Sequence, residues 1–498
     1  MTHLTSCPIA RASGAEAWTQ AEAPTGSPAY SRQVTDIGNE RNAGAAPVVG
    51  GDAPSGLKRD ITGKMLFLFI LGDVLGAGVY ALVGVIAAEV GGVTWAPMIV
   101  ALLLALLTAA SYAELVTKYP KAGGSAVFAE RAYRSTFVSF LVGFSMLAAG
   151  IVSAAGLSLA FSGDYLGTFI DVPPVLGAIV FLVAVAVLNA RGIKESVRTN
   201  LVMTVIETSG LVLVVVTAAI LLGGGGGDLS RAVTFAEGVD PVFGVFGAAI
   251  LAYYSFVGFE TSANVIEEVK DPSRVYPRAL FGSLLVAGVM YVLVGTAASV
   301  ALPAEDLATS SGPLLDVVAA SGVGVPAWLF SLIALIAVAN GALLTLIMAS
   351  RLAYGMAKQR LLPAALGRVL PNRRTPWVAI LVTTACAMAL AFTGDVATLA
   401  ETVVLLLLFV FLSTNVAVLV LRRETVEHEH WRAWTVIPVL GALSCVFLLT
   451  QQSGEVWLRG LVLLAVGAVL YLITALARRR TDRRGAVDRP DGAGRTDA

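Results

Sequence analysis

Residues 71–80, LGDVLGAGVY, place an acid and two closely spaced glycines inside an apolar run. The run begins near Met65, and a helix rises about 1.5 Å per residue, so Gly76 and Gly78 fall about 17–20 Å along it. That depth is close to the centre of a hydrocarbon layer about 30 Å thick. Because glycine weakens a helix, the stretch predicts a membrane-spanning helix that is interrupted at mid-depth.

A second stretch, residues 252–260, AYYSFVGFE, has a similar character in the sixth apolar run, with Ser255 to Gly258 about halfway through it. Either stretch alone could instead serve close helix packing. Together they open two groups of five spans that cross in opposite directions, as in an inverted repeat. Free N–H groups at such breaks attract a carboxylate, and free carbonyls can hold an ammonium group, which favours a small zwitterion as ligand.

The composition indicates that lipid is the main solvent. Of the 498 residues, 57% are hydrophobic and only 14% are charged, whereas about a quarter of a soluble domain is charged. The net charge of zero argues against a nucleic-acid-binding surface. Three scattered cysteines and three histidines provide little for a metal site or for histidine-based catalysis, so neither a metal nor a cofactor is expected.

Twelve apolar spans predict an all-α membrane protein with twelve transmembrane helices, most of them near the required ~20 residues. They run at about 65–88, 95–116, 136–161, 175–190, 197–222, 242–266, 279–302, 326–350, 376–393, 397–421, 434–450 and 457–477. The predicted architecture is a five-plus-five inverted repeat with discontinuous helices 1 and 6, followed by two extra C-terminal helices.

The predicted domain boundaries follow from these spans. A membrane domain covers 61–477, with repeat one at about 65–222, repeat two at about 242–421 and helices 11–12 at about 434–477. Residues 1–60 are interpreted as a disordered N-terminal tail and residues 478–498 as a basic C-terminal tail.

The basic residues predict the orientation. With the N-terminus in the cytoplasm, 32 of the 34 Lys and Arg residues lie on the cytoplasmic side, and only Arg231 and Arg459 lie outside. This asymmetry predicts a multi-pass protein of the cell membrane whose two termini are cytoplasmic.

Five groups of motifs along the chain suggest a family. They are GAGVY at 76–80, SYAEL with YPKAGGS at 111–125, NARGIKES at 189–196, FVGFE with EEVKDPSR and PR at 256–278, and SRLAY with MA and LP at 350–363. In this order they resemble the amino acid–polyamine–organocation (APC) superfamily of permeases, which share the LeuT-type fold. The resemblance covers nearly all of residues 57–477, and Val79 and Tyr80 are mild departures from the family's pattern.

The resemblance implies a substrate site made of backbone and aromatic groups at the two interruptions: Gly76, Ala77, Gly78, Tyr254, Ser255, Phe256 and Gly258. In the family, amides of the first interruption hold the substrate carboxylate, and aromatic residues of the sixth helix cap the substrate. Here the capping role would fall on Tyr254 or Phe256, and ordinary packing is the alternative for both.

Three intramembrane acids, Asp73, Glu207 and Glu260, are candidates for coupling or gating, because an acid in lipid is expensive. Asp73 could bind a cation, a freed amide or a substrate amine, or could lock the broken helix, and the family usually has no acid there. Glu207 could carry a coupling proton or be a hydrogen-bonded structural acid. Glu260 corresponds to a gating acid in related antiporters.

The resemblance implies a secondary active transporter that moves amino acids by alternating access. Sparse hydroxyl groups near Asn340 and Thr345 favour proton over sodium coupling. The alternatives are a polyamine or organic-amine carrier, an amino acid exchanger and a non-transporting sensor. An enzyme is not expected, since no placed nucleophile or metal cluster occurs. The expected partners are an amino acid, a proton and the bilayer, and the oligomeric state stays open.

Overall fold

The computed structural model of the chain describes residues 61–121, 124–191, 196–370 and 375–487. The predicted N-terminal tail and residues 488–498 of the predicted C-terminal tail lie outside these ranges, as do residues 122–123 and 192–195 of the motifs. The regular secondary structure of the described ranges is helical, apart from isolated β-bridges that join Ile61 to Val269 and Gly91 to Phe235, and turns and irregular segments connect the helices.

The first half of the membrane domain contains eight helices. They are α1 (Gly63–Leu75), α2 (Ala77–Val90), α3 (Trp95–Lys118), α4 (Gly124–Tyr133), α5 (Thr136–Phe161), α6 (Asp164–Gly167), α7 (Pro174–Arg191) and α8 (Ser196–Gly223). A short 3₁₀ helix, Arg231–Val233, follows in the connection to the second half.

The second half contains nine helices. They are α9 (Pro241–Tyr254), α10 (Pro272–Ala301), α11 (Ala304–Thr309), α12 (Pro313–Ala320), α13 (Ala327–Lys358), α14 (Trp377–Leu390), α15 (Val396–Leu421), α16 (Val436–Thr450) and α17 (Gly454–Val487). Two further 3₁₀ helices occupy Phe259–Glu268 and Ala364–Gly367.

Local sequence signals explain several helix starts. Asp240 accepts hydrogen bonds from the amides of Val242 and Phe243 at 2.9 and 3.0 Å, and Pro241 occupies the first helical position of α9. Asp395 accepts from the amide of Thr398 at 2.8 Å and begins α15 in the same way. A short acidic N-cap satisfies amides that would otherwise lack a partner, which fixes where these apolar helices begin.

Membrane-length helices dominate the architecture. Within the described residues, nine helices are long and apolar enough to cross a membrane, and the bent pair α1–α2 makes up to ten when taken as one span. Each of the twelve predicted spans overlaps a helix, but α14 and α16 have only 14 and 15 residues. The described chain is therefore an all-α, multi-pass membrane protein.

Helix packing surrounds the two interrupted segments with other helices. Helix α5 packs along α13 and α15, and α1 packs against α8 and α10. Gly72 allows the approach of α1 to α8, because a Cβ atom there would lie 1.9 Å from Thr204 Oγ1. The buried acids Glu207 and Glu260 thus face other helices rather than lipid.

Candidate functional site

The first interruption separates α1 from α2 at a single residue. Gly76 has φ −35° and ψ −151°, which is outside the helical region, and the two helical segments meet at an angle of 40°. Within the described part of the chain, no side chain caps the start of α2. The first-turn amides of α2, beginning with Ala77, therefore point their partial positive charge into the middle of the protein.

The second interruption is longer. Helix α9 ends at Tyr254, Ser255 to Gly258 form a turn, and the chain continues as the 3₁₀ helix Phe259–Glu268. Gly258 has φ +127°, a conformation that side chains disfavour. Its amide donates to Glu260 Oε2 at 2.9 Å, and its carbonyl accepts from the Thr261 hydroxyl at 2.8 Å.

The two interruptions contact each other through glycine. A Cβ atom on Gly78 would lie 2.6 Å from Ser255 Cα, and a Cβ atom on Gly258 would lie 2.8 Å from the Asp73 carbonyl oxygen. Both distances are too short for any side chain without backbone movement. The two backbones are therefore held together at positions where only glycine fits.

Tyr291 of α10 contacts both interruptions through its hydroxyl group. Its hydroxyl lies 2.5 Å from the Val74 carbonyl oxygen and 2.9 Å from the Ser255 carbonyl oxygen. The ring packs edge-on against Phe256, with 5.1 Å between centroids. The Tyr291 hydroxyl is thus close to one carbonyl group from each interruption, and the interruptions have freed both carbonyl groups from helical hydrogen bonds.

A cavity of about 50 Å³ lies between the interruptions. By this measure one water needs about 10–15 Å³, so the present conformation has room for a few non-hydrogen atoms. The predicted site residues that line the cavity are Asp73, Gly76, Gly78, Tyr254, Ser255, Gly258 and Glu260. Ser255 Oγ is buried without a hydrogen-bond partner in the described residues, which leaves it available to a ligand.

Two of the predicted site residues, Phe256 and Glu207, do not line the cavity, and a third, Ala77, lies at the start of α2. Phe256 is fully buried but packs on Tyr291 instead of lining the cavity. Ala77 contributes backbone at the start of α2. Glu207 lies between α8 and α13 and does not line the cavity.

Two carboxyl groups stand beside the second interruption. Asp73 accepts a hydrogen bond from the Thr261 hydroxyl, and Glu260 is buried with an oxygen on the Gly258 amide. Glu260 therefore binds the turn at Ser255–Gly258, Asp73 binds the 3₁₀ helix that follows it, and both acids line the cavity. Their carboxyl oxygens give this side of the cavity hydrogen-bond acceptors, complementary to the amide donors at the start of α2.

Glu207 belongs to a separate buried amide network. Asn340 donates to Glu207 Oε1 at 2.9 Å and to Asn200 Oδ1 at 3.0 Å. Among the described residues, Glu207 Oε2 and the Asn200 amide nitrogen have no partner. The Tyr80 hydroxyl donates to the Glu207 backbone carbonyl at 2.8 Å, which ties this network to α2.

Several lining residues are missed by the sequence interpretation. Ser153 of α5 shares a hydrogen bond with the Tyr254 hydroxyl, at 2.9 Å between the oxygens. The apolar wall includes Met146, Leu157, Val257, Met348, Val403 and Leu407. A serine within an apolar span is a signal that could have identified Ser153, whereas the apolar residues resemble any buried or lipid-facing position.

The sequence pattern of the family described as amino acid permease matches residues 61–474. The chain is 27% identical to the branched-chain amino acid permease BcaP of Bacillus subtilis, over 84% of this chain and 93% of that protein. It is 25% identical to the methylthioribose transporter of the same organism, over 84% and 93%. It is also 29% identical to the vacuolar cationic amino acid transporter 4 of Arabidopsis thaliana, over 74% and 64%.

Proposed function

The chain belongs to the amino acid permease family, and from that premise we propose that it binds an amino acid in the cavity between the two helix interruptions. This membership makes the chain a membrane transport protein, as the sequence interpretation predicts. The observation that carries the proposed site is the convergence of free first-turn amides, two acids and an unpartnered Ser255 hydroxyl on one small cavity.

The two ends of a zwitterion suit the two interruptions. The substrate carboxylate accepts hydrogen bonds from the amides at the start of α2, where Gly76 and Gly78 allow close approach. The substrate ammonium group lies towards Asp73 and the carbonyl groups of the Ser255–Gly258 turn. Tyr254, held by Ser153, covers the ligand from the α5 side.

An apolar substrate side chain is favoured. The remaining wall is formed by thioether and aliphatic groups such as Met146, Met348 and Leu407, which favour an aliphatic side chain over a charged one. One relative is a branched-chain amino acid permease and another a cationic amino acid transporter. Asp73 and Glu260 support the second candidate, a cationic amino acid or organic amine, because they could balance its charge.

Transport follows by alternating access. We assign the pair α1–α2 and helices α3, α5, α7 and α8 to one repeat. The inverted copy comprises α9 with its 3₁₀ extension and helices α10, α13, α14 and α15. With α16 and α17 this gives twelve spans, and the 32-to-2 distribution of basic residues supports a cytoplasmic position for both termini. Residues 1–60 and 478–498 are then cytoplasmic tails.

Uptake by purified protein in proteoliposomes tests this function. Labelled branched-chain, small neutral and cationic amino acids, with putrescine as the amine, are offered under an imposed inward proton gradient. Accumulation of at least one amino acid above protein-free liposomes is expected. No uptake across the panel would contradict amino acid transport, and uptake of putrescine alone would favour the amine carrier.

Glu207 is the proposed site of the coupling proton, and Glu260 a gating acid. Glu207 is fully buried, lies outside the cavity and connects α8 to α13 through Asn340. Glu207→Gln preserves the size of the group and removes its exchangeable charge, so substrate binding and exchange across the membrane should persist. Accumulation driven by the pH gradient should be lost.

The matched control is Glu89→Gln, which changes an exposed acid at the outer end of α2 and should accumulate substrate like the parent protein. Unchanged pH-driven accumulation in Glu207→Gln would remove Glu207 from the coupling role.

A further inference from the structure

A second cavity lies at the N-terminal end of α10 and shares no residue with the site between the interruptions. This groove measures about 490 Å³ and is lined by Ser273, Arg274, Pro277, Arg278, Phe281 and Trp431. Two of its six lining residues are arginines and none is acidic. Its electrostatic character is therefore cationic, in contrast to the acids of the substrate cavity.

The two arginines are available to a ligand. Arg274 and Arg278 stand four residues apart on α10, so their side chains emerge from the same face of the helix. Both are exposed, and neither guanidinium has a hydrogen-bond or ion-pair partner among the residues that the structure describes. Together they form a pair of planar donors suited to the oxygens of a phosphate group.

The groove lies at the depth of lipid headgroups. Helix α10 has 30 residues, which at about 1.5 Å per residue exceeds the ~30 Å hydrocarbon layer by about 15 Å. Because the apolar run of α10 begins only after Arg278, the first two turns, with both arginines, extend into the interface. The same face continues past Phe281 to Leu285 and Val289, which are 49% and 58% exposed.

Trp431 closes the groove and is held there by backbone contacts. Its amide donates to Thr117 Oγ1 at 3.1 Å, and the Ser273 hydroxyl donates to the Glu429 carbonyl at 2.8 Å. The Trp431 and Phe281 rings lie 5.4 Å apart. Tryptophan is typical of the membrane interface, where an apolar ring and a polar N–H meet lipid and water.

We propose that this groove binds the headgroup of an anionic phospholipid. The lipid phosphate lies between Arg274 and Arg278, and an acyl chain follows the exposed stripe of Phe281, Leu285 and Val289. Continuity between a cationic groove and an apolar, lipid-facing stripe favours a lipid over a free phosphate. In the proposed orientation the groove faces the cytoplasmic leaflet, where basic pockets between helices recognise anionic lipids.

Native mass spectrometry of the full-length protein in detergent tests the proposal. The protein is mixed with phosphatidylglycerol and phosphatidylcholine of identical acyl chains, and the retained lipid is counted. The parent protein should retain phosphatidylglycerol preferentially. Arg274→Gln/Arg278→Gln should lose that preference by about tenfold or more, because each interfacial arginine contributes about a fivefold factor. Arg274→Lys/Arg278→Lys should keep part of it.

The matched control is Arg360→Gln/Arg368→Gln, which removes two exposed arginines on the same side and should leave the lipid preference intact. An unchanged preference in the Arg274/Arg278 variant, or no preference in the parent protein, would overturn the proposal. Displacement of the lipid by millimolar glycerol phosphate would show a free-phosphate site instead. Size-exclusion profiles and the lysine variant distinguish lost binding from lost folding.

Discussion

The two helix interruptions differ in how the backbone leaves and re-enters the helix. At the first, one residue, Gly76, is non-helical and α2 resumes at once, leaving its first-turn amides uncapped. At the second, four residues form a turn, a 3₁₀ helix follows, and the Gly258 amide is already satisfied by Glu260. The first interruption presents free donors, whereas the second, together with Asp73 at the end of α1, presents acids and carbonyl groups.

This difference indicates a division of roles. A segment that presents donors suits the carboxylate of an amino acid, and a segment that presents acceptors suits its ammonium group. The glycines also differ. At Gly78 a side chain is excluded only by the close contact with Ser255, whereas at Gly258 it is disfavoured both by a close contact and by positive φ. Changes at the two positions should therefore have different consequences.

The largest effect is expected for Gly78→Leu. Its Cβ atom would lie 2.6 Å from Ser255 Cα, so the two interruptions must separate and the amides of α2 move away from the ligand. Overpacking of this kind costs about 1–3 kcal/mol, which corresponds to a loss of roughly 100-fold in affinity at the upper end. Binding of the best substrate by isothermal titration measures this loss.

Gly247→Leu is the control for that change. It makes the same replacement in α9, at a position where no atom lies within 4 Å of the added Cβ, and should bind normally. Membrane insertion and monodispersity of both variants are checked by fluorescence size-exclusion. Normal affinity in Gly78→Leu would contradict the proposed role of the first interruption.

A smaller effect is expected for Gly258→Ala. Positive φ costs an ordinary residue about 1–2 kcal/mol, and the new methyl group would press on the Asp73 carbonyl, 2.8 Å away. We expect the affinity for the substrate to fall roughly tenfold or more, mainly because the contacts of the substrate ammonium group are weakened.

Gly238→Ala separates the cost of positive φ from the cost of the close contact. Gly238 has φ +77°, and no atom of the described residues lies within 4 Å of an added Cβ. This variant should lose some thermal stability and keep its affinity. Equal affinities in Gly258→Ala and the parent protein would show that the second interruption does not hold the ligand.

The smallest effect is expected for Tyr291→Phe, which removes the hydroxyl between the Val74 and Ser255 carbonyl groups. A hydrogen bond contributes about 0.5–1.5 kcal/mol, so melting temperature should fall by a few degrees and affinity by about two- to tenfold. Tyr133→Phe is the comparison, because it removes a hydroxyl that donates to the Ser413 carbonyl at 2.8 Å and lines neither cavity. A loss of affinity as large as that of Gly78→Leu would mean that Tyr291 has a direct role in binding.

The sequence predicts the helices well because their signal is local. Apolar runs and N-caps such as Asp240 and Asp395 depend on neighbouring residues, and every predicted span overlaps a helix. The glycine clusters likewise predict where α1 and α9 are interrupted. The lengths of α14 and α16 depend on packing against other helices, which a hydropathy pattern does not contain.

The site is only partly predictable, because its remaining contacts join distant segments. Tyr254 and Phe256 are two residues apart in similar surroundings, and the turn directs one into the cavity and the other onto Tyr291. Ser153 reaches Tyr254 across 101 residues, and Asn340 reaches Glu207 across 133. Such pairings follow from the packing of α5 and α13, which local patterns do not specify.

In the proposed site, the two interruptions bind the two ends of one amino acid. The most direct test is calorimetric titration of the parent protein with its best substrate, the decarboxylated amine and the deaminated acid of the same side chain. Each analogue should bind at least about tenfold more weakly than the amino acid, since each lacks one charge-assisted contact. An amine that binds as tightly as the amino acid would contradict it.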